Sequence, residues 1–306
     1  MRLVTRSDFD GLACGVLLAE KGLVDDYLFV HPRDVQHGKV EVNENDILTN
    51  VPYAEGCGLW FDHHSSESDR LDIEKLQFTG ANQQAASAAQ VIWDYYGGKE
   101  TFGEHLLPLL EAVNISDSAS FSFDEVMKPE GWILLSFIMD PRTGLGRFKD
   151  FRIGNYQLMM DMIQYCRTQT AEEILEIPDV QERVKVYFDH QQPFREMMKQ
   201  TTRTDSNLIV INWLDVDTIY CGNRFIIYGM YPDQNIHLQT LWDNEKKNVA
   251  FSCGHSIFNR SSRTNVGKLM LEYGGGGHEM VGTCQVSADE WEAALKRMTS
   301  TILNDG

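Results

Sequence analysis

Positive charge is scarce in this chain: 27 Lys and Arg stand against 45 Asp and Glu, a formal net charge of −18 at pH 7. That balance disfavours non-specific binding to duplex nucleic acid, which is itself a polyanion. It leaves room for a small anion gripped by a local group of Arg and metal. Long apolar runs are missing too. No stretch reaches the roughly 18 residues needed to span a bilayer, so no membrane association is expected. Six cysteines, at 14, 57, 166, 221, 253 and 284, form no Cys-x-x-Cys pair. Their scatter fits reduced thiols in a cytoplasm and not a disulfide framework. The first residues, Met-Arg-Leu-Val-Thr-Arg, lack the apolar core of a secretory signal, so a cytoplasmic protein is expected. No internal repeat and no low-complexity tract is visible.

A chain of 306 residues exceeds one comfortable core, so two domains are expected. The centre of the pattern is Leu59-Trp60-Phe61-Asp62-His63-His64, an apolar run that ends in a carboxylate and two imidazoles. It reads as a buried strand delivering ligands at its C-terminal end, where open α/β sheets place their sites. Asp and His together suit Mn²⁺, Mg²⁺, Fe²⁺ or Zn²⁺. The same residues also suit a capped strand end with a solvated His pair.

Leu3-Val4-Thr5 is a short strand, Asp8 and Asp10 sit on the turn after it, and Gly11 opens a helix over 12–21. Two carboxylates one residue apart suit a hard cation, or simply an Asp N-cap. Tyr27–Val30, Asp46–Val51 and Leu59–Phe61 read as further strands, with a polar loop over His31–His37 and Asn50 near a strand end. Strands alternating with helices indicate a parallel sheet. Helices are expected over Ala85–Tyr96 and His105–Asn114, with Asp117 just beyond. Asp140–Arg147 is a basic, glycine-bearing loop whose Arg142 and Arg147 suit a phosphate or an ordinary surface.

Val180–Thr202 reads as a long connecting helix. The texture then changes. Leu208–Trp213, Phe225–Tyr231, His237–Leu241, Val249–Cys253 and Val281–Val286 read as strands, with helices over Val266–Tyr273 and Asp289–Ile302. Between helix and strand lies Gly274-Gly275-Gly276-Gly277-His278. Four glycines let backbone amides approach an anion closely. His255, Arg260 and His278 add donors nearby, although most glycine runs are linkers.

The Asp-x-Asp turn, Asp62-His63-His64, Asp117 and Gly-Gly-Gly-Gly-His, in that order, resemble a DHH/DHHA1 phosphoesterase along nearly the whole chain. The resemblance implies an α/β fold: a parallel-sheet DHH domain over 1–178, a helical linker over 179–204, and a smaller α+β DHHA1 domain over 205–306. It implies an active site between the domains, metal ions on the first and substrate binding on the second. The metal positions carry over to Asp8, Asp10, Asn50, His63 and Asp117. Asp62 and His64 carry over as catalytic support. Arg142, Arg147, His255, Arg260, Gly275, Gly276, Gly277 and His278 carry over as substrate-binding residues.

Two positions depart from that pattern. Val4 stands where the family has a His, and Asn50 where it has a bridging Asp. One tightly held Mn²⁺ or Mg²⁺, on Asp10, His63 and Asp117, is therefore expected, with His37 as the candidate substitute, through loop geometry, for the missing imidazole. The implied function is metal-dependent hydrolysis of a small phosphoester or phosphoanhydride: a short oligonucleotide, a cyclic dinucleotide or polyphosphate. Short single-stranded nucleic acid and a homodimer are both compatible with this reading. The alternative is a degenerate protein that binds a nucleotide or phosphate without cleaving it.

Overall fold

A computed structural model describes residues 1–64, 67, 70, 72–243 and 245–306. The chain divides into two compact units, 1–121 with 129–186, and 122–128 with 187–306.

The first unit is built on five parallel strands. They are β1 (Arg2–Arg6), β2 (Asp26–Val30), β3 (Asp46–Thr49), β4 (Leu59–Asp62) and β5 (Gly80–Asn82), in the order β2-β1-β3-β4-β5. The order reverses direction at β1, and such a switch point opens a crevice at the C-terminal strand ends. Helix α1 (Phe9–Glu20) follows β1 directly and is buried from Phe9 to Ala19. A helix that apolar all round belongs inside a layered domain. Its entry depends on Gly11, where a Cβ would fall 2.0 Å from the Arg6 carbonyl oxygen. The other face of the sheet buries Val4, Val35, Leu48, Val51 and Trp60 in one cluster.

The second unit carries a six-stranded mixed sheet. Its strands are β6 (Thr202–Asp205), β7 (Leu208–Asn212), β8 (Ile236–Trp242), β9 (Asn248–His255), β10 (Gly276–His278) and β11 (Val281–Ser287), in the order β10-β11-β9-β8-β7-β6. Strand β11 alternates exposed and buried residues without a break. The buried set packs under the helices Val266–Leu271 and Trp291–Asp305, around Leu238, Phe251, Met270 and Met298. That alternation is the period of a half-buried strand.

Three expectations from the sequence are corrected. Phe225–Tyr231 forms no strand; Ile226–Met230 is a helix. Ile226, Ile227 and Tyr228 are buried in succession, whereas a strand would turn alternate residues away. Asn223 starts the turn by accepting the Phe225 amide at 2.9 Å. The long helix over 180–202 is two helices, Pro178–Asp189 and Gln191–Thr201. Pro193 has no N–H for the Asp189 carbonyl, so one continuous helix would lose a bond there. The loop after β2 holds a short helix, α2 (Pro32–Gln36), capped by the His31 ring, which accepts the Arg33 amide at 3.2 Å. His37 ends that turn and joins no potential metal cluster among the described residues.

Candidate metal centre

Asp10, His63 and Asp117 each offer one ligand atom, and these atoms all lie within 4.8 Å of one another. Each side chain arrives from a different element: the first turn of α1, the residue after β4, and the last residue of the helix Leu107–Asp117.

Asp10 is the most firmly anchored of the three. Its Oδ2 accepts the Ala88 amide and its Oδ1 the Ala89 amide, both at 2.9 Å. Those amides open the helix Ala88–Tyr95, which Ser87 caps, so the positive end of that helix holds the carboxylate. Burial and then the charge of Asp117 still push Asp10 up to about 7, with His63 pulling the other way.

His63 has its Nδ1 3.2 Å from the Ala85 carbonyl. A carbonyl only accepts, so Nδ1 donates and Nε2 is the nitrogen turned to the carboxylates. Nε2 is buried with no hydrogen-bond partner among the described residues. It lies 3.1 Å from Asp117 Oδ2 and 3.9 Å from Asp10 Oδ2, in ion-pair range but without hydrogen-bond alignment. Burial opposes charge on the ring, yet Asp117 and Asp10 outweigh it and raise His63 to about 9. The set thus attracts positive charge at Nε2, whether a proton or a metal ion. Two carboxylate oxygens and one imidazole nitrogen fit a hard or borderline dication.

Asp62, which ends β4, is 1% exposed. Its Oδ1 accepts from His64 Nδ1 at 2.8 Å. That bond leaves Nε2 as the free nitrogen of a ring that is 31% exposed. The His63 and His64 rings meet edge to face at 4.4 Å.

Asp8 and Asn50 are aimed at each other. Asp8 caps α1, and its Oδ1 accepts the Gly11 amide and Asn50 Nδ2, both at 3.0 Å. Its Oδ2 pairs with Arg6 Nε at 2.9 Å. Asn50 holds a left-handed backbone, φ 54°, which Asn tolerates better than most residues. Val4 is fully buried in the apolar cluster under the sheet, so its position faces hydrocarbon.

Arg142 and Arg147 lie on consecutive 3₁₀ turns. Arg142 Nε donates to Asp140 Oδ1 at 2.8 Å. Burial works against its charge, but Asp140, and beyond it Asp8 and Asp117, hold the guanidinium above its ordinary pKa. Arg147 folds over Gly144, where a Cβ would stand 1.9 Å from its terminal nitrogen.

In the second unit, the glycine run is partly a strand. Gly276–His278 pairs antiparallel with 281–283 through a tight hairpin. A Cβ on Gly275 would lie 2.1 Å from the Thr283 carbonyl oxygen, and one on Gly277 would lie 2.2 Å from that of Val281. Close backbone packing therefore explains those two glycines without a ligand. Gly276 has nothing within 4 Å of a Cβ, and His278 is exposed. His255 joins the same end of the sheet: its amide donates to Met280 O at 2.9 Å, and its Nε2 donates to Thr264 O at 2.8 Å. Arg260 follows on the next segment, with Nε donating to Ile257 O at 3.3 Å.

The supports of the centre were not legible as motifs. Ala85, Ala88 and Ala89 act through backbone atoms, which carry no sequence signature. Arg6 offered one signal, a cation at a strand end two residues before Asp8.

The fold and this cluster define a phosphoesterase of the DHH/DHHA1 family, and the chain belongs to that family. It is similar to the pGpG-specific phosphodiesterase PggH from Vibrio cholerae, with 46% identity over 100% of this chain and 99% of the other, and a TM-score of 0.86. An exopolyphosphatase-related protein from Bacteroides fragilis shares the fold at 11% identity, covering 98% of this chain and 91% of the other, with a TM-score of 0.51. The sequence matches no protein-family model and no curated protein. No described helix is long and apolar enough to cross a membrane.

Proposed function

We propose that this protein is a divalent-metal-dependent phosphodiesterase that hydrolyses a short linear dinucleotide of the pGpG type. The observation that carries this is the 46% identity, end to end, with a pGpG-specific phosphodiesterase. The cluster of Asp10, His63 and Asp117 supports it chemically. These residues would hold one Mn²⁺ or Mg²⁺, which supplies Lewis acidity toward a phosphoryl oxygen and toward water.

The chain's own residues do the rest. Asp62 fixes His64, whose free Nε2 accepts a proton from water or donates to a phosphate oxygen. Arg142 and Arg147 add positive charge from the first unit. In the second unit we assign substrate binding to His255, Arg260, His278 and the open backbone at Gly276. Positioning and charge stabilisation supply most of the catalysis in phosphoryl transfer. We assign the metal-binding role to 1–178, a linker to 179–204 and the substrate role to 205–306. Six free thiols, five of them buried, support a reducing compartment such as the cytoplasm.

One observation favours binding without cleavage: Asn50 and Arg6 occupy the Asp8 carboxylate. A turnover screen with Mn²⁺ separates the readings. It compares pGpG, cyclic di-GMP, bis(p-nitrophenyl) phosphate and tripolyphosphate. Hydrolysis of pGpG above the others is expected. Binding of pGpG without turnover on any substrate would establish the second reading.

A further inference from the structure

We propose that Arg6 acts as a fixed side-chain cation beside Asp8, presenting positive charge to the substrate phosphate next to a single metal site. This rests on the phosphodiesterase reading and adds a residue to it.

Three observations carry the inference. First, Asp8 is already engaged: Gly11 N and Asn50 Nδ2 donate to one oxygen, and Arg6 Nε forms an ion pair with the other at 2.9 Å. Two N–H donors and one neighbouring guanidinium compensate this carboxylate without a metal ion. Asp8 also stands outside the set of ligand atoms that converge within 4.8 Å. Second, Arg6 spends only Nε on Asp8. Among the described residues its terminal amino groups have no hydrogen-bond partner, and its side chain is 39% exposed. A guanidinium anchored at one nitrogen and open at two others matches the geometry of a phosphate. Third, the position is right. Arg6 ends β1, at the same C-terminal edge of the sheet that delivers Asp62 and His63 from β4. Asp8, its partner, bears electrostatically on Asp10. The ion pair therefore has two functions, holding the turn and aiming the charge.

The test uses the full chain with Arg6→Ala, Arg6→Gln and the double variant Arg6→Ala/Asn50→Asp. Calorimetry with Mn²⁺ reads stoichiometry and affinity, and pGpG hydrolysis reads kcat. Wild type is expected to bind one Mn²⁺. Arg6→Ala should keep that ion at unchanged affinity and lose on the order of 100-fold in kcat, with partial recovery on adding methylguanidinium. The double variant, with its donors replaced by a second carboxylate, should bind a second Mn²⁺. Arg6→Gln keeps an N–H donor without the charge, and the same kcat loss is expected if the alanine variant does not fold. Wild-type kcat in both single variants would overturn the proposal. So would two tight Mn²⁺ sites in the unmodified protein. If wild type hydrolyses no phosphodiester at all, the functional reading fails on its own. The metal arm still decides then: no second Mn²⁺ in the folded double variant would overturn the role assigned to Arg6.

Discussion

The Ala85 carbonyl decides which nitrogen of His63 faces the carboxylates. At 3.2 Å it accepts a hydrogen bond from Nδ1–H and so turns Nε2 toward Asp10 and Asp117. The nitrogen that His63 offers to a metal ion is thus set by a backbone atom 22 residues away in sequence. His63→Ala should lower Mn²⁺ affinity by more than the 10- to 100-fold typical of losing a supporting group, because it removes a ligand. Calorimetry at constant pH checks this, and wild-type affinity in a folded His63→Ala protein would place the metal elsewhere.

Asp62 orients its neighbour and leaves the metal to others. Asp62→Asn should keep Mn²⁺ binding and reduce kcat by roughly 10²- to 10⁴-fold, as expected when an imidazole loses the carboxylate that fixes its tautomer. Steady-state kinetics alongside a metal titration separates the two effects. Loss of metal binding together with kcat would make Asp62 a direct ligand.

His278→Ala and Arg260→Ala should each raise KM on pGpG. A lost charge-assisted hydrogen bond costs about 1.5–3 kcal/mol, whereas Lys39→Ala, an exposed ion-pair residue, should change nothing. Unchanged KM in both variants would remove the second unit from substrate binding.

The glycines should behave differently from one another. Gly275→Ala places a Cβ 2.1 Å from the Thr283 oxygen and should destabilise the fold by about 1–3 kcal/mol. Gly276→Ala meets nothing within 4 Å and should leave Tm unchanged. If Gly276→Ala then loses activity, substrate backbone contact is the cause, not folding. Thermal melts and kinetics on the two variants give both readings.

His237 makes a pH prediction. It is partly buried against Tyr228, whose hydroxyl lies 2.7 Å from Nδ1. Burial first, and then the charge of Arg224, lower it to about 4. The unfolded chain, near 6.5, therefore binds the proton more readily than the folded one. Stability should be flat above about pH 6.5 and fall as pH drops toward 4, by up to about 3 kcal/mol. Urea unfolding of wild type and His237→Gln across pH 4–7 checks this. Equal slopes would show that another group dominates.

The parallel sheet was legible from short apolar runs alternating with helices, and the Asp10, His63, Asp117 set from the order of motifs that resembles the DHH/DHHA1 pattern. Other features were hidden for physical reasons. Strand β5 is three residues long, Gly80–Asn82, too short for any period to show. Phe-Ile-Ile-Tyr at 225–228 has the β-branched and aromatic texture of a strand, and only packing makes it a helix. Asp8 and Asn50 were legible as polar residues at strand ends, but not their mutual hydrogen bond. A donor and an acceptor 42 residues apart leave no spacing to read.

The turn at Gly11 has one more consequence. It ties Arg6, Asp8 and Asp10 to the start of a helix buried along nearly its whole length. Amide hydrogens of such a helix exchange with solvent only when the domain opens globally. Deuterium uptake at 12–18 should accordingly be the slowest in the first unit, and urea should not abolish metal binding before the domain unfolds. The proposed ligand Asp10 is then as durable as the core it is attached to, and whatever pliancy the enzyme needs for exchanging substrate and product has to come from other parts of the chain.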